Sequence, residues 1–252
     1  MRVLVQLSGG KDSVVTLFKA RQLHEDVTAL YNDMGDAYPH VTKYVVDLCN
    51  KWKVPLIISK PARSVLDTVK EDGYPSDMLT IWASDQGGYF KGLKDEPLVK
   101  LQSGISCCTK HLYFPMLQAT LNFKPDVVWR GSKVTDDHVT NGPEFDMFDI
   151  PTFCPIWEMT DENVFEFAAE NGIRLLHHYD FGVGHGLDCI RCTAWLNKTD
   201  HGRVAFTAQL HPEEFKDLRA RYELIASELE RQTVHQIDFL NELRNVDNEC
   251  SG

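Results

Sequence analysis

The sequence predicts an α/β protein, a Rossmann-like parallel sheet with helices on both faces and a long helix at the carboxyl end. Three observations predict it. Short apolar runs rich in β-formers alternate with stretches of helical spacing. A serine–glycine–glycine turn separates the first run from the first helix. From His211 the chain reads as one long, charged, amphipathic helix.

Taken in order, "RVLVQL" (Arg2–Leu7) is a buried strand broken by Ser8, Gly9 and Gly10. "DSVVTLFKARQLH" follows with helical spacing, and Asp12 and Ser13 suit a helix start. Val27–Asp33 reads as a second strand, "YVVDLCNKW" as a helix, Val54–Ser59 as a third strand and Asp126–Ser132 as another. Tyr74–Gly104 mixes aromatics, glycines and charges and reads as an insertion or loop over a site. Thr160–Gly172 is a helix: Thr160 caps it, Asp161 and Glu162 suit its positive end, and Gly172 stops it. No repeat or low-complexity linker divides the chain. Residues 1–200 are expected to form a nucleotide-binding, metal-bearing catalytic domain. Residues 201–252 are expected to form a helical extension packed on it or at a homodimer interface.

Composition narrows the function. Of 252 residues, 43% are hydrophobic and 25% charged, the balance of a globular protein with its own core. No apolar run approaches the roughly 20 residues that cross a bilayer. The opening "MRVLVQLSGG" lacks the length and cleavage pattern of a secretion signal, so a cytoplasmic location is expected. In that reducing setting, seven cysteines point to metal or catalysis before disulfides. A net charge of −11 argues against general duplex binding; a nucleic acid as substrate is not indicated by charge.

"SGGKDS" (Ser8–Ser13) lies between the first strand and the first helix. Glycines let an anion approach the backbone, the helix start offers N–H groups and a positive dipole, and Lys11 adds a cation. It is not the Walker pattern, whose glycines are spaced more widely. The cysteines form two pairs, Cys107-Cys108 and the C-x-x-C of Cys189 and Cys192. Adjacent cysteines are strained as a disulfide. Four thiolates in these pairs suit a Cys₄ site for zinc or a [4Fe–4S] cluster, and ligand count does not choose between them. Cys49, on an apolar helix face, and Cys154, between Phe153 and Pro155, read as packing. His177, His178 and His185 flank the glycine-rich "FGVGHG"; they read either as surface residues or, for His185, as a group near a bound sulfate or phosphate.

"SGGKDS" resembles the pyrophosphate loop of the ATP pyrophosphatase (adenine nucleotide alpha-hydrolase-like) superfamily. Further motifs resemble its phosphoadenylylsulfate (PAPS) reductase family. "NDMGDAYPHV" is similar to D-T-G-x-x-F/Y-P-E-T, with Asp33, Gly35, Tyr38 and Pro39 matching and Met34, His40 and Val41 departing. "VVWRGSKVTDD" is similar to G-x-R-x-x-E-S, with Gly131 kept, Lys133 for the arginine and Asp136 for the glutamate. "PIWEMTDENVFEFAAENGI" is similar to the family's tryptophan–threonine segment. Cys-Cys before Pro115, followed by C-x-x-C-T, resembles the iron–sulfur class of adenylylsulfate (APS)/PAPS reductases and the cluster-bearing enzymes of DNA phosphorothioation. The resemblance runs to about Asn197.

The resemblance implies an enzyme that binds an adenine nucleotide at Ser8, Gly9, Gly10, Lys11, Asp12 and Ser13, with Asp33, Gly131 and Lys133 completing the site. It implies a [4Fe–4S] cluster on Cys107, Cys108, Cys189 and Cys192, with zinc as the alternative. Under the preferred chemistry, ATP is attacked at its α-phosphorus and releases pyrophosphate. Lys11 and the loop amides hold the phosphates, Asp12 or Asp33 carries Mg²⁺, and sulfur comes from a donor such as a cysteine desulfurase. Under the alternative, APS or PAPS is reduced to sulfite, Cys250 is the nucleophile and thioredoxin supplies electrons. The intact loop favours ATP. The tail "NECSG" is similar to the reductases' E-C-G-L/I-H but lacks its leucine and histidine, and is expected to be disordered. A third reading is a non-catalytic nucleotide-binding module stiffened by metal.

Overall fold

A computed structural model describes residues 1–76, 99–136, 142–194 and 201–250. Most of the stretch expected to form a loop over a site, residues 77–98, lies outside the described residues.

The predicted α/β class is the observed one. Strands β1 (Val3–Gln6), β2 (Val27–Asn32) and β3 (Leu56–Ser59) alternate with helices α1 (Lys11–Leu23) and α2 (Pro39–Trp52). After α3 (Val65–Asp72), two short strands, β4 (Tyr74–Ser76) and β5 (Leu101–Ser103), pair in parallel. Then come α4 (Gly104–Cys108), a π-helical turn over Thr109–Tyr113 and α5 (Phe114–Phe123). Strand β6 (Val127–Trp129) leads to the hairpin of β7 (Glu144–Met147) and β8 (Ile150–Phe153). Helix α6 (Asp161–Glu170), a 3₁₀ turn (His177–Phe181), α7 (His201–Leu210) and α8 (Pro212–Cys250) complete the chain.

The main sheet has six strands in the order β3-β2-β1-β6-β8-β7, parallel except for β7. From β1 the chain winds outward to β2 and β3, then returns to place β6 on the other side. That reversal opens a crevice at the carboxyl ends of β1 and β6, where such sheets bind ligands.

The central strands are apolar on both faces because helices cover both. Val3, Val5, Ala29 and Tyr31 pack with α1, α2 and α6; Leu4, Leu30 and Val128 pack with Met116, Ala119 and Phe123 of α5. Helix α6 begins as its sequence suggests: Thr160 accepts from the Asn163 amide, and Asn163 accepts from that of Thr160. Its stop also matches, with Gly172 at φ +62°. The last helix runs to Cys250, so the expected disordered tail is helical as far as that residue.

Candidate active site

Three carboxyl-end segments of the sheet meet at the crevice. The Ser8–Ser13 loop follows β1, Met34–Ala37 follows β2 and Arg130–Ser132 follows β6. A cleft of about 660 Å³ opens between them, lined on its polar side by Ser8, Gly10, Asp12, Ser13, Gly131 and Asp136. Tyr113, Met116, Met147 and Phe148 give it an apolar wall.

The loop is held by its own hydroxyls. Ser13 Oγ accepts from the Ser8 amide at 3.2 Å and donates to the Gly10 carbonyl at 2.9 Å. Ser8 Oγ accepts from the Gly10 amide at 3.3 Å, and the Lys11 amide donates to Tyr179 Oη at 2.7 Å. Gly9 sits at φ +88°, a conformation that favours glycine. Gly131 lies directly on the start of α1: a Cβ there would stand 2.7 Å from Asp12 C and 2.8 Å from Ser13 N. The β6 glycine therefore sets the back of the loop.

Lys11, expected to hold phosphate, and Lys133, expected to help complete the nucleotide site, are only 3% exposed and do not line the cleft. Both ammonium groups turn into a carboxylate network. Lys11 Nζ lies 3.1 Å from Asp12 Oδ2 and 3.2 Å from Asp161 Oδ1, and donates to the Gly184 carbonyl at 3.3 Å. Lys133 Nζ lies 2.7 Å from Asp12 Oδ1, 2.9 Å from Asp161 Oδ1 and 3.6 Å from Asp136 Oδ1. A buried ammonium needs a counter-charge, and here three carboxylates supply it. Burial alone would lower the Lys133 pKa, but Asp12 and Asp161 raise it overall. Burial likewise pushes Asp161 up, and Lys133 and Lys11 bring it down further. Asp12 faces both ways, toward the lysines and into the cleft.

Asp33 is outside the cleft lining. Its Oδ1 accepts from the Gly35 amide at 3.0 Å and its Oδ2 pairs with Lys60 at 3.2 Å, so the tight turn draws the carboxylate back. Of the two candidate Mg²⁺ carriers, Asp12 is the one in the cleft, joined by Asp136. Cys250 ends α8. From Arg221 to Cys250 the helix extends about 43 Å at 1.5 Å per residue.

The four paired cysteines line one pocket of about 30 Å³. Cys107 and Cys108 close α4. His111, one turn on, holds them: its Nδ1 donates to the Cys107 carbonyl at 2.9 Å, and its Nε2 meets Thr68 Oγ1 at 2.8 Å. Cys189 bridges Ala37, and the Ile190 amide donates to the Asp36 carbonyl at 2.8 Å, which ties the C-x-x-C loop to the turn after β2. Burial pushes the Cys107 and Cys108 thiols up to about 12, and the neighbouring Cys192 adds to both. Cys189 and Cys192 also rise. Each keeps some accessible surface, yet protein atoms crowd both sulfurs, and that crowding moves the thiols.

Among the described residues, no three His, Cys, Asp or Glu side chains stand at ligating distances from a common point. The pocket gathers the four thiols. Besides the four sulfurs its lining includes His111, which is turned to Thr68 and the Cys107 carbonyl, and Asp36, which is paired with Arg191. Soft sulfur donors suit zinc or iron–sulfur chemistry and disfavour magnesium or calcium. Met34 lines both pocket and cleft, and Cys189 Sγ lies 3.6 Å from its Sδ. Met34 is thus a wall shared by the cysteine pocket and the cleft.

Asp161, Tyr179 and Gly184 were not singled out as site residues in the sequence. Asp161 reads there as an ordinary helix-start carboxylate, and only the return of α6 beside α1 brings it to the lysines. Cys49 and Cys154 are buried, as their packing reading expects.

Fold and site define an α/β protein with a glycine-rich loop between β1 and α1 at a topological switch point. The chain belongs to the phosphoadenosine phosphosulfate reductase domain family, whose model matches residues 2–195. It is similar in structure to a phosphoadenylyl-sulfate (PAPS) reductase from Candida auris, solved as a phosphate complex. The two share 16% identity over 73% of this chain and 79% of that one, with a TM-score of 0.52, a likeness of fold. The FMN adenylyltransferase of Candida glabrata, solved with FMN and AMPCPP, is 12% identical with a TM-score of 0.44. That match covers 72% of this chain and 52% of the adenylyltransferase, so this chain spans about half its length. No curated protein sequence matches the chain. No described helix is long and apolar enough to cross a membrane.

Proposed function

We propose that the protein is an enzyme that binds an adenine nucleotide with its phosphates on Ser8–Ser13, and that it adenylylates or thiolates a second substrate with release of pyrophosphate. The observation that carries this reading is the shared wall at Met34, which sets a phosphate-loop cleft beside four gathered cysteines.

In this reading the loop amides and the dipole of α1 receive the phosphates. Asp12 and Asp136 are the carboxylates that would hold Mg²⁺. Lys11 and Lys133 hold the Asp12 carboxylate in place. Gly131 sets the loop's height, and the apolar wall at Tyr113 and Met116 receives the base. Cys107, Cys108, Cys189 and Cys192 are the residues that would hold a [4Fe–4S] cluster or, alternatively, zinc. A cluster bound there supplies a sulfur- or electron-accepting centre next to the nucleotide. Sulfur would come from a donor such as a cysteine desulfurase.

Reduction of APS or PAPS by Cys250, with thioredoxin as reductant, is the second reading, and it rests on the family. The length of α8 weighs against it, since a continuous helix carries Cys250 roughly 43 Å past the residues beside the cysteine pocket.

The test is purification without oxygen, then parallel incubation with ATP, APS and PAPS. Pyrophosphate from ATP in the presence of cell-extracted acceptor, unaffected by Cys250→Ser, is expected. Sulfite from APS or PAPS that vanishes in Cys250→Ser would replace this reading with the reductase.

A further inference from the structure

We propose that the α7–α8 hairpin, which lies beyond the family match, is a clamp that positions the second cysteine pair. The proposal rests on the four-cysteine reading above and names the residues that hold that site in register.

The C-x-x-C loop presents the carbonyl oxygens of Arg191 and Cys192 to the hairpin. Three side chains of the hairpin take them. Arg203 Nη2 of α7 donates to the Cys192 carbonyl at 3.3 Å. From α8, Arg221 Nη1 donates to the Arg191 carbonyl and Tyr222 Oη to the Cys192 carbonyl, each at 3.5 Å. Arg203 and Arg221 are each only 8% exposed. A guanidinium buried to that degree is costly to strand, so these contacts resist opening of the loop.

Arg191, inside the C-x-x-C itself, is held from both sides. Its Nη1 pairs with Asp36 Oδ1 at 2.6 Å, on the turn after β2. Its Nε pairs with Asp217 Oδ2 of α8 at 2.9 Å, and Asp217 also pairs with Arg221 at 3.0 Å. The loop is therefore riveted between β2 and α8. The hairpin is itself anchored: Phe206 is buried with Tyr38, Leu187 and Ile190, and Tyr38 Oη meets Thr207 Oγ1 at 2.7 Å. Arg191 and Arg221 thus line the four-thiol pocket, and Arg203 reaches the backbone of Cys192 beside it.

The experiment uses the full chain with R203Q, R221Q and Y222F, and with R219Q as control, because Arg219 pairs with Glu223 on the exposed face of α8. In metal-free protein, iodoacetamide labelling is followed residue by residue by peptide mass spectrometry. In protein loaded with zinc, metal loss to a chelator is timed. R203Q and R221Q should speed labelling of Cys189 and Cys192 about tenfold, the factor for one lost charge-assisted hydrogen bond. Cys107 and Cys108 should change less, metal loss should accelerate in step, and R219Q should match the wild type. If a glutamine variant fails to fold, R221K and Y222F carry the same comparison. Folded variants with wild-type labelling rates at Cys189 and Cys192 overturn the clamp. A wild type that takes up no metal overturns the four-cysteine reading instead, while labelling of the metal-free protein still decides the clamp.

Discussion

Gly131 shows how one residue couples the segment after β6 to the start of α1. Its missing side chain lets the segment after β6 touch the backbone of Asp12 and Ser13, where a Cβ would stand at 2.7 Å and 2.8 Å. Gly131→Ala should force the loop outward, cost about 1–3 kcal/mol as overpacking does, and abolish nucleotide binding measured by calorimetry. Unchanged binding would mean that the loop does not need this contact. Lys11 was legible as a cation beside a phosphate loop, but not as a buried one. What hid its true surroundings is that Asp161 and Gly184 lie more than a hundred residues away and arrive only through folding. Lys11→Ala removes a counter-charge from Asp12, and should weaken Mg·ATP binding about tenfold or more, as stranding a partly buried charge does. Lys19, whose ammonium rests 4.9 Å above Phe167, should tolerate alanine with less than about a twofold change. Equal effects would contradict the assigned role of the network.

Elements with strong local signals were legible: β1, β2 and α6 fall within a residue or two of their sequence limits. The β7–β8 hairpin was not. Its turn places Phe148 and Asp149 at φ +53° and +60°, where hairpins ordinarily carry asparagine or glycine, so no turn signal exists. Helix α7 was hidden by Gly202 in its first turn, and the α4–π–α5 run by its break in helical period. One junction of elements makes a pH prediction. His40 of α2, His177 and His178 of the 3₁₀ turn and His211 before α8 pack around Phe206, with His40 and His211 stacked at 5.4 Å. Burial, then the neighbouring histidine His177, lowers His40 to about 4; burial lowers His178 to about 4 against a raising bond to the His185 carbonyl. An unfolded chain takes up these protons near pH 6.5, and the folded one only near 4. Stability from this junction is therefore complete above pH 6.5 and lost as the pH falls toward 4. The melting temperature should drop by roughly 5 °C between pH 7 and pH 5, and by less in His40→Phe. An identical drop in that variant would remove the junction from the explanation.

For the whole molecule, the fold class and the family were legible because the strand–loop–helix start and the motifs after β2 and β6 are local in sequence. The composite site was only half legible. Two cysteine pairs could be counted, but their meeting depends on the turn after β2, to which Asp36 and Ala37 tie the second pair. The wall that pocket and cleft share at Met34 is a property of the assembled sheet, and so is the fit of α7–α8 against that pair. The central claim is that nucleotide cleft and cysteine centre form one site. The most direct measurement is the electronic absorption and paramagnetic resonance of protein purified without oxygen, recorded before and after addition of Mg·ATP. The account predicts about four irons and four sulfides per chain, a spectrum that shifts on nucleotide binding, and loss of both in Cys108→Ala or Cys189→Ala. Protein free of iron and sulfide, or a cluster spectrum unmoved while nucleotide is demonstrably bound, would contradict it.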